Sequence, residues 1–321
     1  MDNYINTTAN GLYICGARRG DIVDITYAYQ WDLAGTMLDD GFRRLGCAVI
    51  PGGTGTTRTH VGIMKYLGVT VVFAFPPFAM KLAKTCREMG IDPKKDLRVR
   101  LIIVRSEEVC NEDEKRVLSE IFGAEVRAMY GGAEAGFVAA ECGEGGGMHC
   151  FSDSILEVID PVSCRPVAPG QRGEIVTTDM SRSAMPLIRY RTGDITEGLN
   201  MAPCPCGRTS PRLGRIIGRR GNIVRVRGVY LIPKIVKKVL DTYDLAGRFQ
   251  IIIERKWDEE SVCVKVELSD MDRGSRLREE LIEELRTNTR LRFEIVFVPL
   301  GTIASNEPLV LDKRWAIIGY K

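Results

Sequence analysis

The sequence predicts an α/β fold followed by a smaller α+β unit, and three observations carry that expectation. From residue 21 to about 132, short β-branched or aromatic runs alternate with longer amphipathic ones, the pattern of βαβ units around a largely parallel sheet. From 139 to about 200 the chain changes to strand-like runs separated by Gly and Pro turns, which implies a β-rich subdomain. Beyond 218 it reads helix, strand, strand, helix, strand, so the expected domains are 1–138, 139–217 and 218–321.

In order, IVDITYAY is a strand by its branched and aromatic content, and WDLAGTMLDDGFRRLG a helix by its apolar spacing. CAVIP, VTVVFAF, VRLIIVRS and EVRAMYGG continue the strands, while TRTHVGIMKYLG, PPFAMKLAKTCREMG and NEDEKRVLSEIFG supply the crossover helices. Ligands of parallel sheets gather at the carboxyl ends of strands, so the residues after VTVVFAF, VRLIIVRS and EVRAMY are site candidates. SILEVIDP, EIVTTDM and PLIRYRT are the strands of the β-rich part. In the last unit PKIVKKVLDTY and RLREELIEELRT are helices, and Leu277, Leu281 and Leu285, recurring every fourth residue, mark one buried face. RFQIIIERK, SVCVKVELS and RFEIVFVPL are its strands.

With 321 residues, 45% hydrophobic and 27% charged, the chain is globular and long enough for more than one core. No run of about 18 uncharged apolar residues occurs, and MDNYINTTAN lacks the basic-then-apolar layout of a signal peptide. A cytoplasmic location without a membrane partner is the expectation. Ten scattered cysteines fit reduced thiols or metal ligands better than a disulfide framework. The net charge of +3 hides thirteen Lys or Arg against three acids within 208–256. That segment suits nucleotide phosphates, coenzyme A, nucleic acid or plain solvation. Nucleic acid is the weakest fit, because only Tyr230, Tyr243 and Phe249 offer stacking rings there.

Three clusters offer chemistry. MYGGAEAG (129–136) follows a predicted strand; its glycines let a ligand approach the backbone and Glu134 offers a carboxylate to magnesium, although a plain Gly-rich turn reads the same way. In PLIRYRTGDIT (186–196), Asp194 just past a Gly turn can accept from the vicinal hydroxyls of a ribose while Arg189 and Arg191 complement phosphates. A salt-bridged edge strand is the alternative. Cys142 and His149 in ECGEGGGMHC, with Cys204 and Cys206 in APCPCGRT, make a set of three cysteines and a histidine suited to tetrahedral zinc. Cys150 is a substitute ligand there, and free thiols are the alternative.

GEIVTTDMSRSAMPLIRYRTGDIT, then CPCGRT, then GRIIGRRGNIVRVRGVYLIP closely resembles the phenylacetate–coenzyme A ligase branch of the adenylate-forming superfamily. The likeness extends to TYAYQ, GCAVIPGG, MGIDP and YGGAE, in the right order over essentially the whole chain. The resemblance implies the adenylate-forming fold with a mobile C-terminal domain, and an ATP-dependent carboxylic acid–coenzyme A ligase. ATP and a small acid would form an acyl-adenylate and pyrophosphate, with Mg2+ at the phosphates, and coenzyme A thiol would then attack the acyl carbon. Carried over, Asp194 holds the ribose with Arg219 assisting, Tyr130 and Gly131 sit by the adenine, and Ser106, Glu107 and Glu108 occupy the adenine-side loop. Glu134 ligates magnesium. Tyr27, Tyr29, Phe75 and Phe78 are expected to wall the acyl pocket, with core packing the alternative for each. Relatives with a Cys-x-Cys before Gly-Arg-Thr look like zinc binders, which implies a structural zinc.

The chain also departs from the family pattern. The family's Ser/Gly/Thr-rich phosphate loop precedes the equivalent of the first strand, where this sequence has almost nothing, so it reads as truncated at its start. GGTGTT (52–57) is similar in composition but matches a different loop. Ala133 replaces a Ser or Thr, Gly221 stands at the hinge Asp and Asn222 follows it, and Lys313 is the nearest candidate for the adenylation lysine, offset by about two positions when Glu307 sets the alignment. Two alternatives follow: a non-catalytic nucleotide-binding remnant or subunit, and a deazaflavin-adenylylating synthetase. Exposed sheet edge or apolar surface would favour a homodimer or a separate N-terminal partner chain.

Overall fold

The computed structural model describes residues 2–30, 33–105, 112–161, 163–182, 184–219, 224–227, 229–245, 247–256 and 259–314. The chain divides into two compact units, Met1–Arg220 and Gly221–Lys321.

The first unit begins with α1 (Asp2–Cys15), β1 (Ile22–Ile25), α2 (Ala34–Leu45), β2 (Ala48–Ile50), α3 (Thr57–Leu67), β3 (Val71–Ala74) and α4 (Pro76–Glu88). It continues through the single turn α5 (Pro93–Asp96), β4 (Leu101–Arg105), α6 (Glu112–Phe122), β5 (Glu125–Gly132), β6 (Gly136–Glu141) and β7 (Met148–Cys150). Then come β8 (Ser154–Ile159), β9 (Gly173–Asp179), β10 (Tyr190–Thr196), β11 (Leu199–Asn200), β12 (Arg212–Leu213) and β13 (Ile216–Arg219). Local chemistry sets the helix ends: Thr56 Oγ1 accepts from the Thr59 amide at 3.2 Å to open α3, Pro76 opens α4, and Gly46 and Gly68 close α2 and α3 at φ of 83° and 67°.

Nine strands form one sheet in the order β11-β12-β7-β6-β5-β4-β3-β1-β2, parallel from β2 to β5 and antiparallel from β6 outward. Val71, Phe73, Leu101 and Ile103 face one core with Leu12, Leu38 and Phe42. Val72, Ala74, Ile102 and Val104 face the other with Met64, Leu82 and Leu118. Side chains alternate across a strand, so helices on both faces demand the continuous apolar runs VVFA and LIIV. A second, antiparallel sheet of order β13-β10-β9-β8 carries the 186–196 stretch.

The short strands β6, β7 and β11 to β13 lie outside the expected pattern, as do α1 and the frame of β10. The helix α1 was not foreseen, because its Thr, Asn and Gly are weak helix formers; it is held by packing on α2, where a Cβ on Gly41 would lie 2.7 Å from Thr8 Cγ2. The strand expected over PLIRYRT is shifted forward: β10 starts at Tyr190 and runs through Thr-Gly-Asp to Thr196. Gly193, at φ of 78°, allows a bulge instead of a terminating turn.

The second unit contains the hairpin β14 (Val224–Val226) and β15 (Val229–Leu231), then α7 (Pro233–Thr242), β16 (Phe249–Lys256), β17 (Glu259–Leu268), α8 (Met271–Thr289), β18 (Glu294–Pro299) and β19 (Val310–Asp312). Its sheet order is β18-β17-β16-β19. Leu281 and Leu285 are fully buried against Val236, Leu240, Ile251 and Val264, and half-buried Leu277 packs beside them. No described helix is long and apolar enough to cross a membrane.

Candidate functional site

A buried hydrogen bond links the two sheets of the first unit. The Tyr130 hydroxyl, from β5, donates to Asp194 Oδ2, from β10, at 2.8 Å, with both residues buried. The bulge puts Asp194 there: Arg191 and Ile195 pair with Val176 and Glu174 of β9, so the register shifts between them. Thr192 Oγ1 pins the bulge, accepting from the Asp194 amide at 3.1 Å and donating to the Ile175 carbonyl at 2.9 Å. On the other side Asp194 is the register partner of Arg219 in β13. The expected carboxylate and its assisting cation thus stand opposite each other on neighbouring strands.

Arg189 and Arg191 each face a carboxylate of the second sheet. Arg191 Nε is 3.1 Å from Glu174 Oε2, its Nη2 donates to the Pro161 carbonyl at 3.0 Å, and Arg189 Nε is 3.0 Å from Glu157 Oε2. Both arginines are occupied within their own sheet.

The β5–β6 hairpin demands glycine, since a Cβ on Gly131 would lie 2.1 Å from the Gly136 carbonyl oxygen. Glu134 is exposed on its turn, and its carbonyl accepts from the Arg182 guanidinium. Beneath the hairpin, Lys115 Nζ lies 2.8 Å from both Glu141 oxygens, and Glu141 Oε2 also accepts the Ala128 amide at 2.9 Å. Burial alone would depress the Lys115 pKa, but Glu141 and Glu112 raise it above the ordinary lysine value.

Of the four expected pocket aromatics, three gather. Tyr27 stacks on Phe75 at 4.3 Å between ring centroids, and Tyr29 packs on the same core, its hydroxyl donating to Asp39 Oδ2 at 3.2 Å. Phe78 belongs to the core on the opposite face, where it meets the His60 ring edge-on at 5.4 Å. That histidine belongs to a pair sequence reasoning missed: His60 Nδ1 is 2.7 Å from Asp24 Oδ2, both residues are wholly buried, and His60 Nε2 meets no hydrogen-bond partner among the described residues. The one available signal was an Asp inside the apolar run IVDI. Arg105, buried at the end of β4, was missed as well.

Cys142, His149, Cys204 and Cys206 come together with their ligand atoms all within 4.8 Å of one another. Cys142 Sγ is 3.7 Å from Cys204 Sγ, and Cys206 Sγ is 3.4 Å from His149 Nε2. His149 Nδ1 is 3.0 Å from Ser210 Oγ, which orients the ring with Nε2 toward the thiols. Burial pushes Cys142 up to about 11. At Cys206 burial also opposes ionisation, but the Arg208 amide and guanidinium and the neighbouring thiols outweigh it and bring it down to about 7. Cys150 is not part of the cluster.

Lys313 follows β19 in the second unit; its Nζ is 3.0 Å from Glu254 Oε1 at the surface. Ser106, Glu107, Glu108, Gly221 and Asn222 lie outside the described residues, as does the side chain of Arg219.

A family model described as the AMP-binding enzyme C-terminal domain matches residues 228–314. Over 330 aligned positions the chain is 32% identical to the phenylacetate-coenzyme A ligase of Pseudomonas putida, covering 98% of this chain and 74% of that protein. The chain belongs to the phenylacetate–coenzyme A ligase family. A second family member, the phenylacetate-coenzyme A ligase of Thermus thermophilus, is 29% identical over 95% of this chain and 73% of its own length. Among solved structures, 2-hydroxyisobutyryl-CoA ligase in complex with its acyl-adenylate and coenzyme A superposes with a TM-score of 0.83 at 26% identity, covering 97% of this chain and 69% of that one. The adenylate-forming ligase fold thus extends over nearly all of this family member.

Proposed function

We propose that the chain is an ATP-dependent carboxylic acid–coenzyme A ligase acting through an acyl-adenylate. The observation that carries this reading is the buried Tyr130–Asp194 hydrogen bond set opposite Arg219, in a chain whose relatives are named phenylacetate-coenzyme A ligases. Asp194 accepts the ribose hydroxyls, because an ionised carboxylate on a rigid strand can take both. Tyr130 and Gly131 flank the adenine. Exposed Glu134 offers a hard oxygen to Mg2+, which neutralises phosphate charge as the acid's carboxylate oxygen attacks the α-phosphorus and pyrophosphate leaves. Lys313 is the proposed adenylation lysine, its ammonium stabilising the oxygens that gain charge in that step. In the second half-reaction the coenzyme A thiolate attacks the acyl carbon and AMP departs. The Tyr27–Phe75 stack beside Tyr29 suits an apolar or aryl acid.

The Cys142, His149, Cys204 and Cys206 set fits a structural zinc: four soft donors lie close together, with the far nitrogen of the histidine already held by Ser210. When bound, the ion would clip β6 and β7 to the 204–206 loop. Reduced thiols, ATP and coenzyme A together support a cytoplasmic setting.

ATP–pyrophosphate exchange over a panel of aryl and short-chain acids, followed by detection of the coenzyme A ester, tests the ligase reading. Exchange with at least one acid is expected, and none with any acid overturns it. Metal analysis of protein purified without chelator tests the clip; near-stoichiometric zinc is expected, and its absence would rule the site out.

A further inference from the structure

Arg105 is 7% exposed, and among the described residues no carboxylate pairs with it. Its Nε and Nη2 share the Gly131 carbonyl at 3.4 and 3.2 Å, and its Cζ lies 5.7 Å from the Phe137 ring centroid. A carbonyl dipole and a ring face are weak compensation for a buried guanidinium. Lys115 and Arg314, equally buried, are each held by carboxylates.

A second cation lies at the same hairpin. Arg182 pairs with Asp179 at 2.9 Å, and its Cζ sits 5.5 Å from the ring centroid of Tyr4, on α1. The Tyr4 hydroxyl is buried and meets no hydrogen-bond partner among the described residues; nearby Thr8 Oγ1 is committed to the Tyr4 carbonyl at 3.1 Å. Gly136 makes this approach feasible, since a Cβ there would lie 2.8 Å from Arg182 Nη2 and 2.9 Å from Tyr4 Cε2. Across the hairpin Gly131 pairs with Phe137 and Gly132 with Gly136, so the carbonyl holding Arg105 is next to the glycine that admits Arg182 and Tyr4. Burial lifts the Tyr4 phenol to about 12 while Arg182 and Arg105 both pull it down, so both cations lie within electrostatic reach of the hydroxyl.

Among the described residues Arg105, without a carboxylate, and the Tyr4 hydroxyl, without an acceptor, leave donors at one turn beside an Arg182 already paired with Asp179, and an oxyanion would complete them. We propose that Tyr4, Arg105 and Arg182 bind the phosphoryl groups of the nucleotide beyond its α-phosphate and hold pyrophosphate as it leaves. The identity of that substrate rests on the ligase reading; the oxyanion chemistry does not. Carboxylates share this chemistry, so the acid substrate is the competing source.

Calorimetric titration of the full chain with pyrophosphate, ATP, AMP and phenylacetate separates the two sources. Arg105→Met and Arg182→Gln should each lower pyrophosphate and ATP affinity about tenfold or more, and isosteric Tyr4→Phe severalfold, with AMP unchanged and Arg105→Lys partly restoring. Pyrophosphate should raise the melting temperature of the wild type but not that of Arg105→Met. Without ligand, Arg105→Met should melt at or above the wild type, because an uncompensated buried charge has gone. Lost phenylacetate affinity with pyrophosphate binding intact would overturn the phosphoryl assignment. Unchanged binding of every probe, or an Arg105→Met variant that melts lower yet binds normally, would overturn the site itself. Pyrophosphate bound by these residues in a chain that activates no acid would sink the ligase reading and leave the oxyanion site standing.

Discussion

Replacing Lys115 by Met tests whether the hairpin that carries Tyr130 and Gly131 is held from below by charge. Lys115 and Glu141 are each only 10% exposed at the side chain, with Nζ 2.8 Å from the nearer carboxylate oxygen. Met preserves the aliphatic stem, so the substitution removes charge and little volume. The Glu112 contact is discounted, since that side chain is 83% exposed and solvent screens it. What remains is Glu141, a buried carboxylate left with the Ala128 amide, and stranding a buried charge in this way costs about 3–5 kcal/mol. Glu141→Gln on top removes the stranded charge and keeps an acceptor for that amide, so the double variant should return to within about 1 kcal/mol of the wild type. Lys115 has a raised pKa in the folded chain, so its contribution is fully present below the ordinary lysine range and lost only as pH rises through the raised value. The experiment therefore gives the same answer across neutral pH. Urea unfolding by circular dichroism, with hydrogen exchange of the β5 and β6 amides as the local measure, reads both variants. A single variant costing less than about 1 kcal/mol, or a double variant no better than the single, would refute the reasoning.

Three other outcomes are expected. Asp194→Asn should weaken nucleotide binding by about ten- to a hundredfold, the worth of one charge-assisted hydrogen bond, by calorimetry with ATP; unaltered affinity would remove Asp194 from the site. Gly131→Ala forces a methyl to 2.1 Å from the Gly136 oxygen and should lower stability by about 1–3 kcal/mol, so a wild-type melting temperature would contradict the hairpin geometry. At Asp21, burial opposes ionisation, but Arg100, the Arg18 amide and Thr70 outweigh it and hold the pKa below the ordinary carboxylate value. Its stabilising effect is present above that ordinary value and lost as pH falls toward the lowered one. The melting-temperature gap between wild type and Asp21→Asn should therefore be full at neutral pH and shrink in acid; a gap that widens in acid would contradict the assignment.

Much of the sheet was legible because its physics is local. Runs such as VVFA and LIIV are apolar on both faces, which requires helices above and below and so a parallel, crossover-connected core. The cluster of three cysteines and a histidine was legible for a different reason: thiols and imidazole are uncommon enough that four in two short segments suggest convergence, although Cys142 and Cys204 are 62 residues apart. Tertiary context hid the rest. The helix α1 depends on a close crossing with α2 that no property of its own residues announces. The frame of β10 turns on a bulge at Gly193, and whether a Gly-Asp pair ends a strand or bulges it is decided by the partner strand. Nothing local says that Arg189 and Arg191 will find Glu157 and Glu174, or that His60 will meet Asp24 across 36 residues.

The chain leaves the nine-stranded sheet at β7 and returns to it at β11 and β12, and β7 and β12 are hydrogen-bonded neighbours, His149 opposite Arg212. Most of what lies between, including the strand that carries Asp194, is an excursion closed by the pairing of β12 with β7, although β13, beyond β12, still pairs with β10. Such a segment can be lengthened, trimmed or exchanged for that of a relative while the platform beneath keeps its shape, because closing its ends costs little that depends on what lies between. Protein engineers exchanging residues 151–211 would keep the β10 edge that pairs with β13, Asp194 opposite Arg219. For evolution, the same joint lets the part that grips a nucleotide be revised without reopening the design of the core.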